Sequence, residues 1–459
     1  MFPLRLGCPL AKGVTNGVSS ARKVNLKSML RKLQHLAQAS RTWLMDETHT
    51  GRFPWALWLF SRLLIFVAFF GLAPLLNAEV AVGSDAFVGG DGQWYLRIAS
   101  EGYTIDPDGL WRSPAFFPLY PLLIRGLAIG PMAPEVAGFC INNLAFLGAV
   151  WLLHHWLQQQ YHLTVARWAV AVLVLCPFSL FGTVLYTEGL FLLLTVAALW
   201  AFETRRLGVM TLSGFLATAV RPPGLALIPA LLLQAVREKR PAVTYGGIIA
   251  MAGGLMAYSL YCWLQLGDPL IFSAAQDQWG RTVGDLQPWL RLLTVTVVGE
   301  TNYHARGLAR IDHPLAVVLV TGLAIAVWCR RDRLGRATPY WTFFVVCAAW
   351  IVGDYGLLRL GGVFGGAMML WQLRRHLTGA VLLYGFCGLG LLLLSGSDLS
   401  AERLAYGIVP LTIAAGVGLD QHPRVGYGLL PWSAIVLLTI ATQLGQGILV
   451  AGRLVVQGV

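Results

Sequence analysis

Residues Trp55–Leu76 read WALWLFSRLLIFVAFFGLAPLL, an apolar run interrupted by a single charge, Arg62. About 20 such residues are what a helix needs to cross the hydrocarbon core of a bilayer. The flanks orient it. Residues 1–52 carry nine Lys and Arg against Asp46 and Glu47, a local net of +7. Residues 77–112 carry six acids against Arg97 and Arg112, a net of −4. Basic residues favour the cytoplasmic side, so the N-terminus is expected inside and the following loop outside.

The composition of the 459-residue chain agrees: 56% hydrophobic, 12% charged, mean hydropathy +0.64. Soluble domains carry about 25% charged residues. A cytosolic enzyme, a disordered chain and a disulfide scaffold are thereby excluded. The net charge of +12 lies mostly in the N-terminal tail and in short connections between apolar runs, which argues for topology rather than nucleic acid. Seven cysteines are scattered without a CxxC, and most read as apolar filler. The first 50 residues lack the sustained apolar core of a cleavable signal. Leu26, Met29, Leu30, Leu33, Leu36 and Leu44 recur at helical spacing among bases. They fit a helix lying on an anionic membrane surface and a loosely ordered basic tail equally well.

Further apolar segments run through about 134–157, 164–183, 185–202, 208–220, 224–236, 244–265, 312–328, 339–357, 362–373, 377–394, 404–419 and 427–451. They predict an all-α polytopic membrane protein of 11–13 spans. Its organisation is a basic cytoplasmic tail, 1–52, and a multi-span domain, 53–459. The segments 208–220 and 224–236, separated by Arg221-Pro222-Pro223-Gly224, read as two half-length helices. Broken backbone at membrane depth is tolerated only inside protein or beside a wet cavity. Strict alternation places Arg205/Arg206, Arg237/Lys239/Arg240, Arg330/Arg331/Arg333/Arg336 and Arg374/Arg375 on the cytoplasmic side. It places 77–133, Tyr186–Glu188, 266–311 and Ser395–Arg403 outside.

The outer segments hold the candidate chemistry. DGQWYLRIASEGY (Asp91–Tyr103) sets an acid beside Trp94 and Tyr95. A carboxylate can take a hydroxyl proton and aromatic faces pack on sugar C–H surfaces, although an Asp before Gly is also a common turn. Arg221 sits at a depth where a charge costs about 2.5–3.5 kcal/mol on insertion scales, and needs a partner: Glu188, Asp91 or a lipid phosphate. Arg281 and Arg403 fall at the outer boundary, where arginine grips phosphate bidentately or simply snorkels.

DGQWYLRIASEGY and AFFPLYPLL, then LYTEGLFLLL (Leu185–Leu194) and TAVRPPGLALIPALLL (Thr218–Leu233), resemble the PIG-V-like mannosyltransferase family, in the family's order. These are bacterial relatives of GPI mannosyltransferase II within the GT-C membrane glycosyltransferases. GDPLIFSAAQDQWGR and ERLAYGIVPL resemble two later blocks, so the likeness spans about Trp55–Gly418. It implies a GT-C-like bundle with a helical first external loop. It also implies an inverting transfer of a sugar, usually mannose, from a polyprenyl-phosphate donor to an acceptor hydroxyl outside the cytoplasm. Asp91 stands at the family's acidic position as general base. Tyr186 and Glu188 match its Y-[ST]-E turn and Arg221 its R-P-[TS]-G; Gln276, Trp279 and Arg281 match the second-loop pattern, and Arg403 the late arginine. Two departures stand out: Gly90 replaces the family's usual Trp, and Pro223 its small hydroxyl residue.

Such a reading places Trp94, Tyr95, Tyr186, Glu188, Arg221, Gln276, Trp279, Arg281 and Arg403 on substrate, with no cofactor and no metal. Its expected partners are the lipid-linked donor, an acceptor and the bilayer of the inner (cytoplasmic) membrane. Asp106-Pro107-Asp108 reads as D-x-D, but Pro between two acids is common in solvated loops. The rival reading is a transporter or flippase of lipid-linked saccharides. Polar residues gathered at one face, rather than at the midplane of repeated broken helices, favour the enzyme.

Overall fold

The computed structural model describes residues 51–76, 87–106, 108–128, 130, 132–446, 449–450 and 453–454. The basic tail with its amphipathic stretch, Cys8, Glu79 and Asp85 lie outside them. Apart from a two-residue antiparallel ladder, Leu449↔Leu454 and Val450↔Arg453, the regular structure of the described residues is helical.

Helix α1 (Phe53–Val67) has Pro54 in its first turn, where the missing N–H costs nothing, and continues through a π-turn at Ala68–Leu72. Arg62, the single charge of this run, is 3% exposed. Its Nη2 donates to the Ser179 carbonyl at 3.4 Å, it bonds Thr183 Oγ1, and it lies 4.9 Å over the Phe146 ring. The charge is satisfied inside the protein and ties α1 to the segment around 179–183.

The first loop contributes α2 (Asp91–Glu101) and α3 (Leu119–Leu127). Then come α4 (Pro134–Gln160), α5 (Leu163–Leu175), α6 (Glu188–Glu203), α7 (Leu207–Val220) and α8 (Leu227–Arg237). α4 packs on α5 and α6, and α6 on α7. The apolar run 164–183 is not one helix. It ends at Leu175 because Pro177 has no N–H to continue the ladder, and Pro177–Gly182 form a 3₁₀ turn. Between α7 and α8, Pro222–Ala226 is likewise 3₁₀, so the break expected there is present.

The run 244–265 is divided at Met251–Ala252 into α9 (Ala242–Ala250) and α10 (Gly253–Leu266). The second loop carries α11 (Ile271–Asp277), α12 (Gln287–Val298) and α13 (Glu300–Ala305). Beyond it are α14 (Asp312–Leu334) and α15 (Thr338–Leu360), then a π-turn at Gly361–Gly365 and α16 (Gly366–Gln372). The chain closes with α17 (Gly379–Leu394), α18 (Ala401–Tyr406), α19 (Val409–Gln421) and α20 (Pro423–Gly445). Among the described residues, five helical stretches are long and apolar enough to cross a membrane, and four shorter apolar helices accompany them. The protein is an all-α polytopic membrane protein whose apolar runs form helices of two lengths.

An Asn pair within α4 holds the irregular segment 177–187. Asn142 Nδ2 donates to the carbonyls of Phe181 (2.8 Å) and Val184 (2.7 Å), and its Oδ1 accepts from Gly189 N at 2.8 Å. Asn143 Nδ2 donates to the Thr183 carbonyl at 2.8 Å. A Cβ on Gly189 would lie 2.3 Å from the Asn142 carbonyl, so only glycine lets α6 start this close to α4. Backbone groups that leave a helix in apolar surroundings must find such partners. Asn142→Leu orphans three of them and is expected to lower stability by about 1–3 kcal/mol. Thermal unfolding in detergent reads this, and an unchanged midpoint would show that the clamp does not hold 177–187.

Candidate functional site

Two acids open two helices. Gly90 enters α2 at φ 62, ψ −123, a backbone that favours glycine and disfavours a side chain such as Trp. Asp91 is the first residue of α2, and its amide donates to Tyr186 Oη at 3.1 Å. A Cβ on Gly92 would meet the Leu185 carbonyl at 2.9 Å, so the first turn of α2 seats directly on 185–187. Glu188 is the first residue of α6. Both carboxylates lie at helix N-termini, where the dipole favours negative charge.

The arginines arrive from elsewhere in the chain. α6 runs from Glu188 to Glu203, Arg205-Arg206 make the turn, and α7 returns to Val220, followed by Arg221, which is extended (φ −157, ψ 144) before Pro222. A Cβ on Gly224 would fall 2.7 Å from the Ala217 backbone, which makes this turn tight. Arg221 Nη1 reaches Glu188 Oε1 at 2.7 Å and lies 5.8 Å over the Phe191 ring. From α18, Arg403 Nη1 pairs with Asp91 Oδ2 at 2.7 Å, while its Nε lies 3.5 Å from Glu188 Oε1. The Arg403 guanidinium sits 5.3 Å over Phe181 and 5.1 Å over Tyr186. Side-chain exposure is 1% for Glu188, 8% for Arg403, 12% for Arg221 and 19% for Asp91.

Burial opposes the Arg403 charge, yet Asp91 and Glu188 outweigh it and hold its pKa above the ordinary value. Arg281 is pushed down to about 10, first by burial and then by the positive charge of Arg403, with Asp91 opposing and Arg221 adding to the fall. It therefore shares the field of the same cluster, and its Nη2 donates to the Leu399 carbonyl at 3.3 Å. Two buried polar atoms here have no hydrogen bond, Glu188 Oε2 and Arg403 Nε. A buried unsatisfied carboxylate oxygen is costly, and a substrate hydroxyl is the kind of donor that would satisfy it.

The remaining expected residues form a second group. Trp94 stacks on Phe116 (5.6 Å between centroids, 7° interplanar), and Trp279 meets both edge-on. Gln276 Nε2 donates to the Ala115 carbonyl at 3.1 Å and Trp279 Nε1 to the Arg112 carbonyl at 3.5 Å. Both join the second loop to residues 112–115 of the first. Trp94 follows Asp91 by three residues, one helical turn along the same side of α2. Tyr95 is turned inward at 6% exposure, 3.4 Å from Thr187 Oγ1, against Phe116 and Tyr120. Burial drives the Tyr95 and Tyr186 phenols above their ordinary pKa. The D-x-D acids are held by arginines: Asp106 by Arg97 (2.8 Å) and Arg112 (3.1 Å), Asp108 by Arg112 (2.6 Å).

Residues that reading the sequence missed are Asn142 and Asn143, which hold the Glu188 turn, and Glu402 and Arg359 beside Arg403. An adjacent Asn pair inside a long apolar run was the available signal, since polar groups there need partners.

Fold and site define a class, a polytopic membrane protein with a buried cluster of acids and arginines. The sequence model of Mannosyltransferase (PIG-V) matches residues 84–243, a stretch holding Asp91, Trp94, Tyr95, Tyr186, Glu188 and Arg221. The resemblance carried by the motifs is the same one. No curated protein matches the chain. Similar solved structures include the Archaeoglobus fulgidus oligosaccharyltransferase in complex with Zn and sulfate, at 15% identity and TM-score 0.44, covering 84% of this chain and 53% of that one. Its apo form aligns at 13% identity and TM-score 0.44, covering 87% and 56%. Archaeal oligosaccharyltransferase AglB from Archaeoglobus fulgidus, in complex with an inhibitory peptide and a dolichol-phosphate, aligns at 14% and 0.42, covering 88% and 56%. The chain spans little more than half the length of these structures.

Removing one partner of a buried pair typically costs about 3–5 kcal/mol, more than removing both. Arg221→Gln, which leaves buried Glu188 only the more distant Arg403, is expected to lower the thermal unfolding midpoint more than the double variant Arg221→Gln/Glu188→Gln. An equal or larger loss in the double variant would deny the coupling.

Proposed function

We propose that the protein transfers a sugar, mannose by family resemblance, from a polyprenyl-phosphate donor to an acceptor hydroxyl on the extracytoplasmic side, with inversion. The observation that carries this reading is that Arg403 faces Asp91 and Glu188 together, with Arg221 on the same Glu188 oxygen. The acceptor oxygen attacks the anomeric carbon, its proton passes to Asp91, and the anomeric C–O bond breaks with its electron pair going to the phosphate. Arg403, Arg221 and Arg281 stabilise the charge that develops there. Glu188 Oε2 accepts from a sugar hydroxyl, and Trp94 with Trp279 offers faces to the acceptor. Sidedness is supported by the hairpin of α6 and α7, which puts Arg205-Arg206 at the end opposite Glu188 and Arg221. Cytoplasmic loops are the ones enriched in Lys and Arg.

In the structure the Asp91 carboxylate is engaged by Arg403, and must be released to accept a proton. A donor phosphate competes for Arg403 and releases it, so the donor binds before the acceptor reacts. Asp91→Asn is expected to abolish transfer and to bind polyprenyl phosphate about 10-fold more tightly, the scale of one close charge pair. Arg403→Gln is expected to weaken both transfer and lipid-phosphate binding. Transfer assays and lipid binding on the purified proteins check this; full activity in Asp91→Asn, or binding no tighter than wild type, contradicts it.

An apolar cavity of about 400 Å³, lined by Gly361, Gly362, Gly365, Met369 and Tyr406 among others, reaches Glu402 beside Arg403. It suits the donor's prenyl chain. A Cβ at Gly365 has nothing within 4 Å, so Gly365→Leu fills the groove without a clash. It is expected to raise KM for a long-chain donor and spare a short-chain one; an equal effect on both would remove the chain from this groove.

A further inference from the structure

Arg403 is carried by α18, a helix of six residues. Isolated helices shorter than about 12 residues are marginal, so α18 must be held from outside. Its entry is itself unusual: Ser400 lies in the left-handed region at φ 58. Tyr406 Oη anchors its end to the Leu173 carbonyl at 3.0 Å. Its beginning is gripped by Arg359 at the end of α15. Arg359 Nε donates to Glu402 Oε2 at 3.0 Å and its Nη1 to Asp398 Oδ2 at 3.1 Å. Exposure of these side chains is 16% for Arg359, 5% for Glu402 and 28% for Asp398.

The grip is specific in direction. Glu402 and Arg403 are neighbours in a helix, about 100° apart around its axis. Holding Glu402 on one side therefore fixes the rotation that aims Arg403 at Asp91 and Glu188 on another. Close packing reinforces this: a Cβ on Gly362, three residues after Arg359, would sit 3.3 Å from Ala405 Cβ. Burial raises the Glu402 pKa and Arg359 works against that rise, so the buried carboxylate depends on its arginine.

We propose that Arg359 is a positioning residue: by bridging Glu402 and Asp398 it sets the orientation of Arg403, and through it the hold on the donor phosphate. The inference rests on the functional reading above. Arg359 acts through Arg403, so its effect on the donor must vanish when Arg403 is absent.

The test is a double-mutant cycle on the full chain in detergent: wild type, Arg359→Gln, Arg403→Gln and the double variant. Binding of polyprenyl phosphate, kcat and KM for each substrate, and thermal unfolding are measured on all four. Arg359→Gln is expected to weaken lipid-phosphate binding and donor kcat/KM about 10-fold, the scale of coupling within one ion-pair network, with acceptor KM unchanged. The double variant should be no worse than Arg403→Gln alone, and Glu402→Gln should reproduce Arg359→Gln. Additive losses, or unaltered phosphate binding in Arg359→Gln, overturn the proposal. A loss confined to the unfolding midpoint with unaltered binding marks Arg359 as structural only. A wild type that binds the lipid phosphate but transfers no sugar would sink the functional reading, while the binding cycle still decides the role of Arg359.

Discussion

Everything at the site depends on one guanidinium. Arg403 pairs with Asp91, 312 positions away, at 2.7 Å and approaches Glu188 at 3.5 Å. A buried cation in a membrane protein is expensive unless paired, so its presence forces the acids to converge on it. Asp91 can meet it because Gly90 and Gly92 seat α2 against 185–187. Glu188 can meet it because Asn142 and Gly189 fix the start of α6 against α4. The broken backbone at Pro177–Gly182 and Pro222–Ala226 is what lets short helices begin and end at this depth.

Under the proposed mechanism the same geometry sets an opposition between resting and working states. A carboxylate bonded to an arginine is well held but poorly free to take a proton. In the proposed reaction a donor phosphate competes for the arginine, so that substrate binding and release of the base become one event. The arrangement needs no large movement, only an exchange of partners around Arg403. Further out, Arg359 and Glu402 hold the helix that bears it, and the aromatic group of Trp94, Phe116 and Trp279 joins the two loops above α2.

Much of this was legible in the sequence because charges are scarce in it. Asp91, Glu188, Arg221, Arg281 and Arg403 stood out as ionised groups unexplained by topology, and the structure joins Asp91, Glu188, Arg221 and Arg403 by ion pairs. The fold class was legible for the same reason. Less legible were features whose meaning lies in packing. Asn142 and Asn143 look like minor interruptions of an apolar run, yet they satisfy four backbone carbonyl and amide groups of the Glu188 turn. Arg62 interrupts an apolar run that holds no acid to pair with it, and the fold buries it against Ser179 and Thr183. Spacing places Gln276 and Trp279 in the right loop but does not tell that both bond main-chain carbonyls of the first. Pro177 ends α5 inside a run whose hydropathy continues unbroken.

The central claim is that lipid phosphate takes Arg403 from Asp91. A structure of the protein with polyprenyl phosphate bound tests it most directly. The account predicts the phosphate within hydrogen-bonding distance of Arg403, near Arg221 and Arg281, with the Asp91 carboxylate no longer paired to Arg403. A phosphate bound away from these arginines, or an Asp91–Arg403 pair that survives beside it, would contradict the account.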